Sequence, residues 1–206
     1  MERKASPQRT RPYRMRQRQA TLDATRDRIA AAAFELHREV GPAHATISAI
    51  GERAGVQRHT VYRHFPDVVE LIRACTIHGM EVTNLPDPEP WRVISNPSHR
   101  LRVALGAMYP YYRANEQLIG NILRDLPVMP ELAAGSAPYQ DHLSRIWGAV
   151  LEPWVEVAGP AGERVRALVS TALEFGTWQA LTRRGGLTDE DAVETMLRAV
   201  EGAASV

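Results

Sequence analysis

The chain is short of several things, and each shortage removes a class of explanation. It has one cysteine, Cys75, so an intramolecular disulfide and any CxxC metal or redox motif are impossible. That usage fits a reducing cytoplasm, and the residue itself reads as a small buried filler. No apolar run approaches the roughly 20 residues of a membrane span. The N-terminus is basic, but no apolar segment follows it, so it does not read as a secretory signal. There is no G-x-S-x-G, P-loop or G-x-G-x-x-G, and the seven histidines never stand at ligand spacing beside a glutamate. No catalytic group, metal or cofactor is therefore expected. Segments of strand period and internal repeats are also missing, which points to an all-α fold of about nine helices.

What is present is unevenly charged. The formal net charge is only +1 over 206 residues, of which 44% are hydrophobic. Residues 1–73 hold 14 Lys and Arg against 8 Asp and Glu, whereas the remainder holds 11 against 16. A basic N-terminal part joined to an acidic body suggests a nucleic-acid-binding module attached to something else. Residues 1–20 carry Arg3, Lys4, Arg9, Arg11, Arg14, Arg16 and Arg18 against Glu2 alone. With two prolines and no periodicity they read as a disordered basic arm.

Thr46 to Phe65, T-I-S-A-I-G-E-R-A-G-V-Q-R-H-T-V-Y-R-H-F, is the densest signal. Ile47, Ile50 and Ala54 share one helical face. Gly55 breaks that helix, since glycine enters the left-handed region freely, and Val56 follows as a buried plug. Gln57 opens a second helix in which Val61 and Phe65 face inward. The opposite side then carries His59, Thr60 and Arg63, with Tyr62 and His64 on the flanks and Arg58 near the start. No acidic residue interrupts Arg53 to Phe65. This is a helix-turn-helix pattern, whose second helix enters the DNA major groove. Arg63 can pair with a guanine edge, and Thr60 can meet a thymine methyl, a base or a phosphate. Tyr62, His64 and Thr46 have the reach for phosphates.

Around it, Ile29, Ala32, Ala33, Leu36 and Val40 predict a first helix from about Thr25, ended by Gly41-Pro42. Val68, Val69, Leu71, Ile72, Cys75 and Ile77 predict another after Pro66-Asp67. The run Thr25 to Ala74 resembles the DNA-binding domain of the tetracycline-repressor (TetR) family of bacterial regulators. The carrying residues are Ile29-x-x-Ala32-Ala33-x-x-Leu36-x-x-x-x-Gly41, Thr46-Ile47-x-x-Ile50-Gly51, Ala54-Gly55-Val56 and Thr60-Val61-Tyr62-x-His64-Phe65. The resemblance covers about a quarter of the chain. It implies DNA contacts at Thr46, Arg58, His59, Thr60, Tyr62, Arg63 and His64. Three places depart from the family's pattern: Gln57 stands for a Ser-like cap, Gly51 for Ala, and Asp67-Val68 for the usual Lys.

The expected organisation is a basic arm over 1–20, a DNA-binding domain over 21–84 with its motif at 46–65, and a helical body over 98–206. Leu85-Pro-Asp-Pro-Glu-Pro-Trp91 separates the last two, because its prolines forbid a helix. In the body, Ser98 reads as a cap and Pro110 as a kink or early stop. Helices are expected over Glu116 to Leu126 and Pro138 to Val157, with Pro127 and Pro130 bracketing a break and a bend at Pro153. Val165, Leu168, Val169, Ala172, Leu173 and Gly176 form one continuous stripe closed by Gly185-Gly186. Thr188 and Asp191 form a capping box before Val193, Met196, Leu197 and Val200. By the resemblance the body binds a small effector; a homodimer is expected because one short helix reads only a few base pairs and because the last two stripes carry more apolar surface than a single body would hide. Met108, Tyr112, Leu123, Trp147, Phe175 and Trp178 are the candidate pocket wall, and Leu168, Ala172, Val193 and Leu197 the candidate dimer face. The function read from this is a transcriptional repressor released from operator DNA by a small, largely apolar ligand. The alternatives are a DNA-binding regulator without an effector, acting through protein partners, and a small helical enzyme.

Overall fold

The computed structural model describes residues 11–155, 157 and 159–204, and among these it is built of helices alone. Among the described residues there are eleven α-helices, where about nine were expected. They are α1 (Arg11–Glu39), α2 (Ile47–Arg53), α3 (Arg58–His64), α4 (Val68–Val82), α5 (Pro97–Ala114), α6 (Glu116–Asp125), α7 (Pro130–Gly135), α8 (Ala137–Leu151), α9 (Gly159–Ala172), α10 (Phe175–Gln179) and α11 (Asp189–Ala204). No helix of the described residues is long and apolar enough to cross a membrane.

Helix α1 begins at Arg11 and not near Thr25. Thr25 caps nothing; its hydroxyl donates to the Thr21 carbonyl one turn back. The segment expected as a disordered arm is therefore helical from residue 11, while residues 1–10 lie outside the described residues. The stretch from Met15 has no apolar stripe because it is exposed, but its Arg, Gln, Ala and Leu are good helix formers. Periodicity reports burial, and an exposed helix has none to report.

Ile29, Ala33, Leu36, Ile50, Val61, Phe65, Leu71 and Cys75 make one core under the three N-terminal helices and α4. Gly55, at φ +65°, forms the turn expected of it. Gln57 is the N-cap of α3 through its backbone and not its first helical residue; its side chain makes no capping bond. Val56 is only half-buried and Val40 is exposed, so both sit further out than the periodicity implied. Asp67 caps α4 by accepting from the Val69 N–H. Val68 and Ile77, expected on the buried face of α4, are exposed; Leu71, Ile72, Cys75 and Gly79 form that face.

The second core fills the body and runs from Trp91 to Val200. Asn96, not Ser98, caps α5, and Pro110 lies inside α5 without ending it. The break between the prolines holds a 3-10 turn, Leu126–Val128, and a short helix, α7, follows it with Pro130 at its first position. Helix α8 ends at Leu151, short of the expected Val157, and a 3-10 turn, Glu152–Trp154, carries Pro153. Gly159-Pro160-Ala161-Gly162 already belongs to α9. The long stripe after Val165 is cut at Leu173 and Glu174, where α9 stops and α10 starts. The cause lies on α5: the Tyr109 hydroxyl donates to the Ala172 carbonyl and that of Tyr112 to the Leu173 carbonyl, satisfying groups a continuous helix would have used. A π-helical segment, Ala180–Arg184, follows α10. One half of the expected Thr188–Asp191 capping box forms: the Asp191 N–H donates to the Thr188 hydroxyl, which in turn donates to the Asp191 carboxylate.

The candidate dimer face is corrected by burial. Ala172, Val193 and Leu197 are 0%, 7% and 1% exposed in the single chain, and Leu168 is half-buried. α11 is packed against α5 and α9, so these residues are core of the protomer. Periodicity shows that a face is buried, not which partner buries it.

Helix α6 joins the two halves. Leu118 reaches the first core and Ile119 the second. α4 likewise packs on α7 and α8 as well as on α1.

Candidate nucleic-acid interface and ligand cavity

The two outward-facing short helices are held from behind. Val61 is fully buried and Phe65 is 3% exposed, which turns the other side of α3 to solvent. Arg58, His59, Tyr62 and Arg63 are exposed, and Thr60 is half-buried at the edge of that face. Arg58 donates to the Tyr62 hydroxyl at 3.0 Å, one helical turn away. The Arg63 guanidinium makes no ion pair with any described residue. Thr46 is exposed and caps α2, accepting from the Ala49 N–H at 3.2 Å. So six of the seven residues chosen from the sequence are accessible to solvent, Thr60 in part. His64 is different: its Nε2 is buried and has no hydrogen-bond partner among the described residues. Desolvation, then Arg63, then Arg26 push its pKa down, favouring the neutral ring.

Two contacts that orient this surface were invisible in the sequence. Arg26 donates to the His64 carbonyl at 2.6 Å and lies over the Phe65 ring at 4.1 Å, tying α1 to the end of α3. Arg53 and Glu39 form a two-bond ion pair, both at 2.7 Å, between α2 and the end of α1. Each pair is far apart in the chain, so no local pattern announces it.

The same α1 is gripped at its C-terminus by α6. Its last carbonyls have no partner within the helix. Asn121 Nδ2 donates to the His37 and Arg38 carbonyls at 3.2 and 2.9 Å, and Arg124 donates to the Val40 carbonyl at 2.9 Å. Asp125, 2% exposed, accepts from the Ala43 N–H at 3.0 Å. The Arg124 guanidinium beside it holds its carboxyl below the usual carboxylate range. Gly41 fits here because it has φ +94° and because a Cβ would collide with Arg124 and Asp125.

Between these elements lies a cavity of about 620 Å³, within the size range of small-molecule sites. Four of the six residues chosen from the sequence line it: Tyr112, Leu123, Trp147 and Phe175. Met108 and Trp178 do not; both are fully buried in the core behind the wall. The sequence reading missed Phe34 and His37 of α1 and Ile72 and Cys75 of α4, which form the opposite wall. They had been assigned to the other domain, and their stripe gave no sign of an empty partner. His37 Nδ1 lies 3.3 Å from Cys75 Sγ. Burial lowers His37 to about 4 and raises Cys75 to about 12, so both are uncharged at neutral pH.

With this geometry in hand, residues 29–75 match the family described as bacterial regulatory proteins, tetR family. No curated protein matches the chain.

Proposed function

We propose that this chain, a DNA-binding transcriptional regulator with a tetR-family N-terminal domain, is a repressor released from its operator by a small, largely apolar ligand. The supporting observation is the shared wall. Phe34 and His37 of α1, with Ile72 and Cys75 of α4, border the cavity, and both helices pack into the core that carries α3. A ligand filling that space must differ in affinity between arrangements of α1 and α4, and that difference is what can move the recognition helix.

In this reading Arg63, His59 and Thr60 read base edges, while Arg58, Tyr62 and Thr46 hold phosphates. His64 packs as a support. Two recognition helices are needed, because one short helix reads only a few base pairs; the protein acts as a homodimer on half-sites about 34 Å apart or a multiple of that. The dimer face proposed now is the exposed side of α9 and α11, around Ala167, Thr171, Thr195 and Ala199, since the apolar stripe is consumed inside the chain.

The test is selection of bound sequences from random DNA, followed by a screen for compounds that weaken binding to the selected site. A compound that raises the melting temperature and lowers operator affinity supports the reading. Operator binding that no cavity-filling compound alters would leave a regulator without an effector.

A further inference from the structure

The cavity wall carries an imbalance of charge. Among its lining residues there is no lysine and no arginine, and His37 is held neutral by burial. The one carboxylate is Glu174, exposed at the rim where α9 gives way to α10. Its backbone is used: the Glu174 carbonyl accepts from the Thr177 and Trp178 N–H groups. Its side chain is spare, making no capping bond and no ion pair with any described residue. Beside it stand aromatic faces. Phe175 meets Tyr112 edge-on at 5.5 Å, and Trp147 lines the same cavity.

An anionic ligand would enter with nothing to balance its charge, and an unpaired charge moved out of water is costly. A cation would meet both a carboxylate and the negative faces of aromatic rings. We infer that the ligand is a hydrophobic organic cation, its apolar body in the cavity and its ammonium group at the Glu174 rim. This rests on the effector reading above and deepens it.

The experiment uses the full-length chain, its selected operator and three probes of one shape. These are (4-phenylbutyl)trimethylammonium, its neutral isostere with a tert-butyl group in place of the ammonium, and 4-phenylbutane sulfonate. Affinities come from calorimetry and operator release from anisotropy. The expected order is ammonium, neutral, sulfonate, with the ammonium roughly three- to thirtyfold ahead of the neutral isostere, as aromatic and rim-carboxylate contributions of ordinary size would give. Glu174→Gln should shrink that ratio while leaving the neutral probe's affinity unchanged, and Glu174→Asp should keep most of it. If Glu174→Gln does not fold, the wild-type ratio and Glu174→Asp decide. A neutral isostere that binds and releases operator as well as the ammonium overturns the cation inference and leaves the effector reading standing. A Glu174→Gln variant with an unchanged ratio overturns it as well. If none of the three binds or moves operator affinity, both readings fall.

Discussion

At the scale of single residues the outward side of α3 was legible and the contacts that hold it were not. The wheel of α3 follows from Val61 and Phe65 alone, because two buried positions four apart orient a helix of seven residues. His64, placed on a flank, is half-buried with its Nε2 covered, and Thr60, placed on the outward side, is half-buried as well. Replacing Arg63 by Ala is expected to cost about 1–3 kcal/mol at the selected site and to relax base preference there. His64→Ala should change stability more than base preference, which melting and binding measurements on one sample would separate. His37 has a different signature. In the unfolded chain it titrates near 6.5 and in the folded one near 4, so between those values only the unfolded state holds the proton. Its contribution is fully present above 6.5 and is lost as pH falls toward 4, a loss of at most roughly 3 kcal/mol. Urea unfolding at pH 7 and pH 4.5 should show it, and His37→Gln should unfold with a smaller difference between the two. His64 shifts in the same direction and remains in both proteins.

At the scale of elements the joint between α1 and α6 decides most. Gly41 was read as the end of α1, and it is, but its second role depends on Arg124 and Asp125 far along the chain. Gly41→Ala should destabilise the fold by about 1–3 kcal/mol through backbone strain. Asn121→Ala is subtler. It removes two bonds to the end of α1 and touches neither the DNA face nor the charged rim. Ligand should then shift operator affinity less than in wild type; an unchanged ratio of affinities with and without ligand would mean that α6 does not transmit. The extension of α1 belongs to the same scale. Arg18 and Gln19 share a groove with Arg63 and His64, which sets the extension beside α3. Removing residues 1–20 should therefore lower the dependence of log affinity on log salt by about 0.9 for each phosphate those residues neutralise, with the preferred half-site preserved.

At the scale of the whole molecule, assembly is where the sequence pattern misled. Two clean apolar stripes suggested more surface than one body could hide, yet α5, α9 and α11 hide it. The mass in solution is expected to be about twice 22.9 kDa. Ala167→Glu with Thr171→Arg should yield a folded monomer with weakened operator binding. Leu197→Asp should instead unfold the chain, because its side chain is core. A folded monomer from Leu197→Asp would restore the stripe as the interface.

The sequence by itself determined the local things. These are the helical class, the Gly55 turn, the outward side of α3, the Thr188 cap and the turn at Pro153, each set by residues within a turn or two of one another. The tertiary structure decided whatever needed two distant segments. It stopped α9 by offering Tyr109 and Tyr112 hydroxyls to the carbonyls of Ala172 and Leu173, built one side of the cavity wall from helices assigned to the DNA-binding part, and spent the expected dimer stripe inside one chain. The physical reason is common to all three. A stripe states that a face is apolar, and only packing selects which face covers it and where a gap remains.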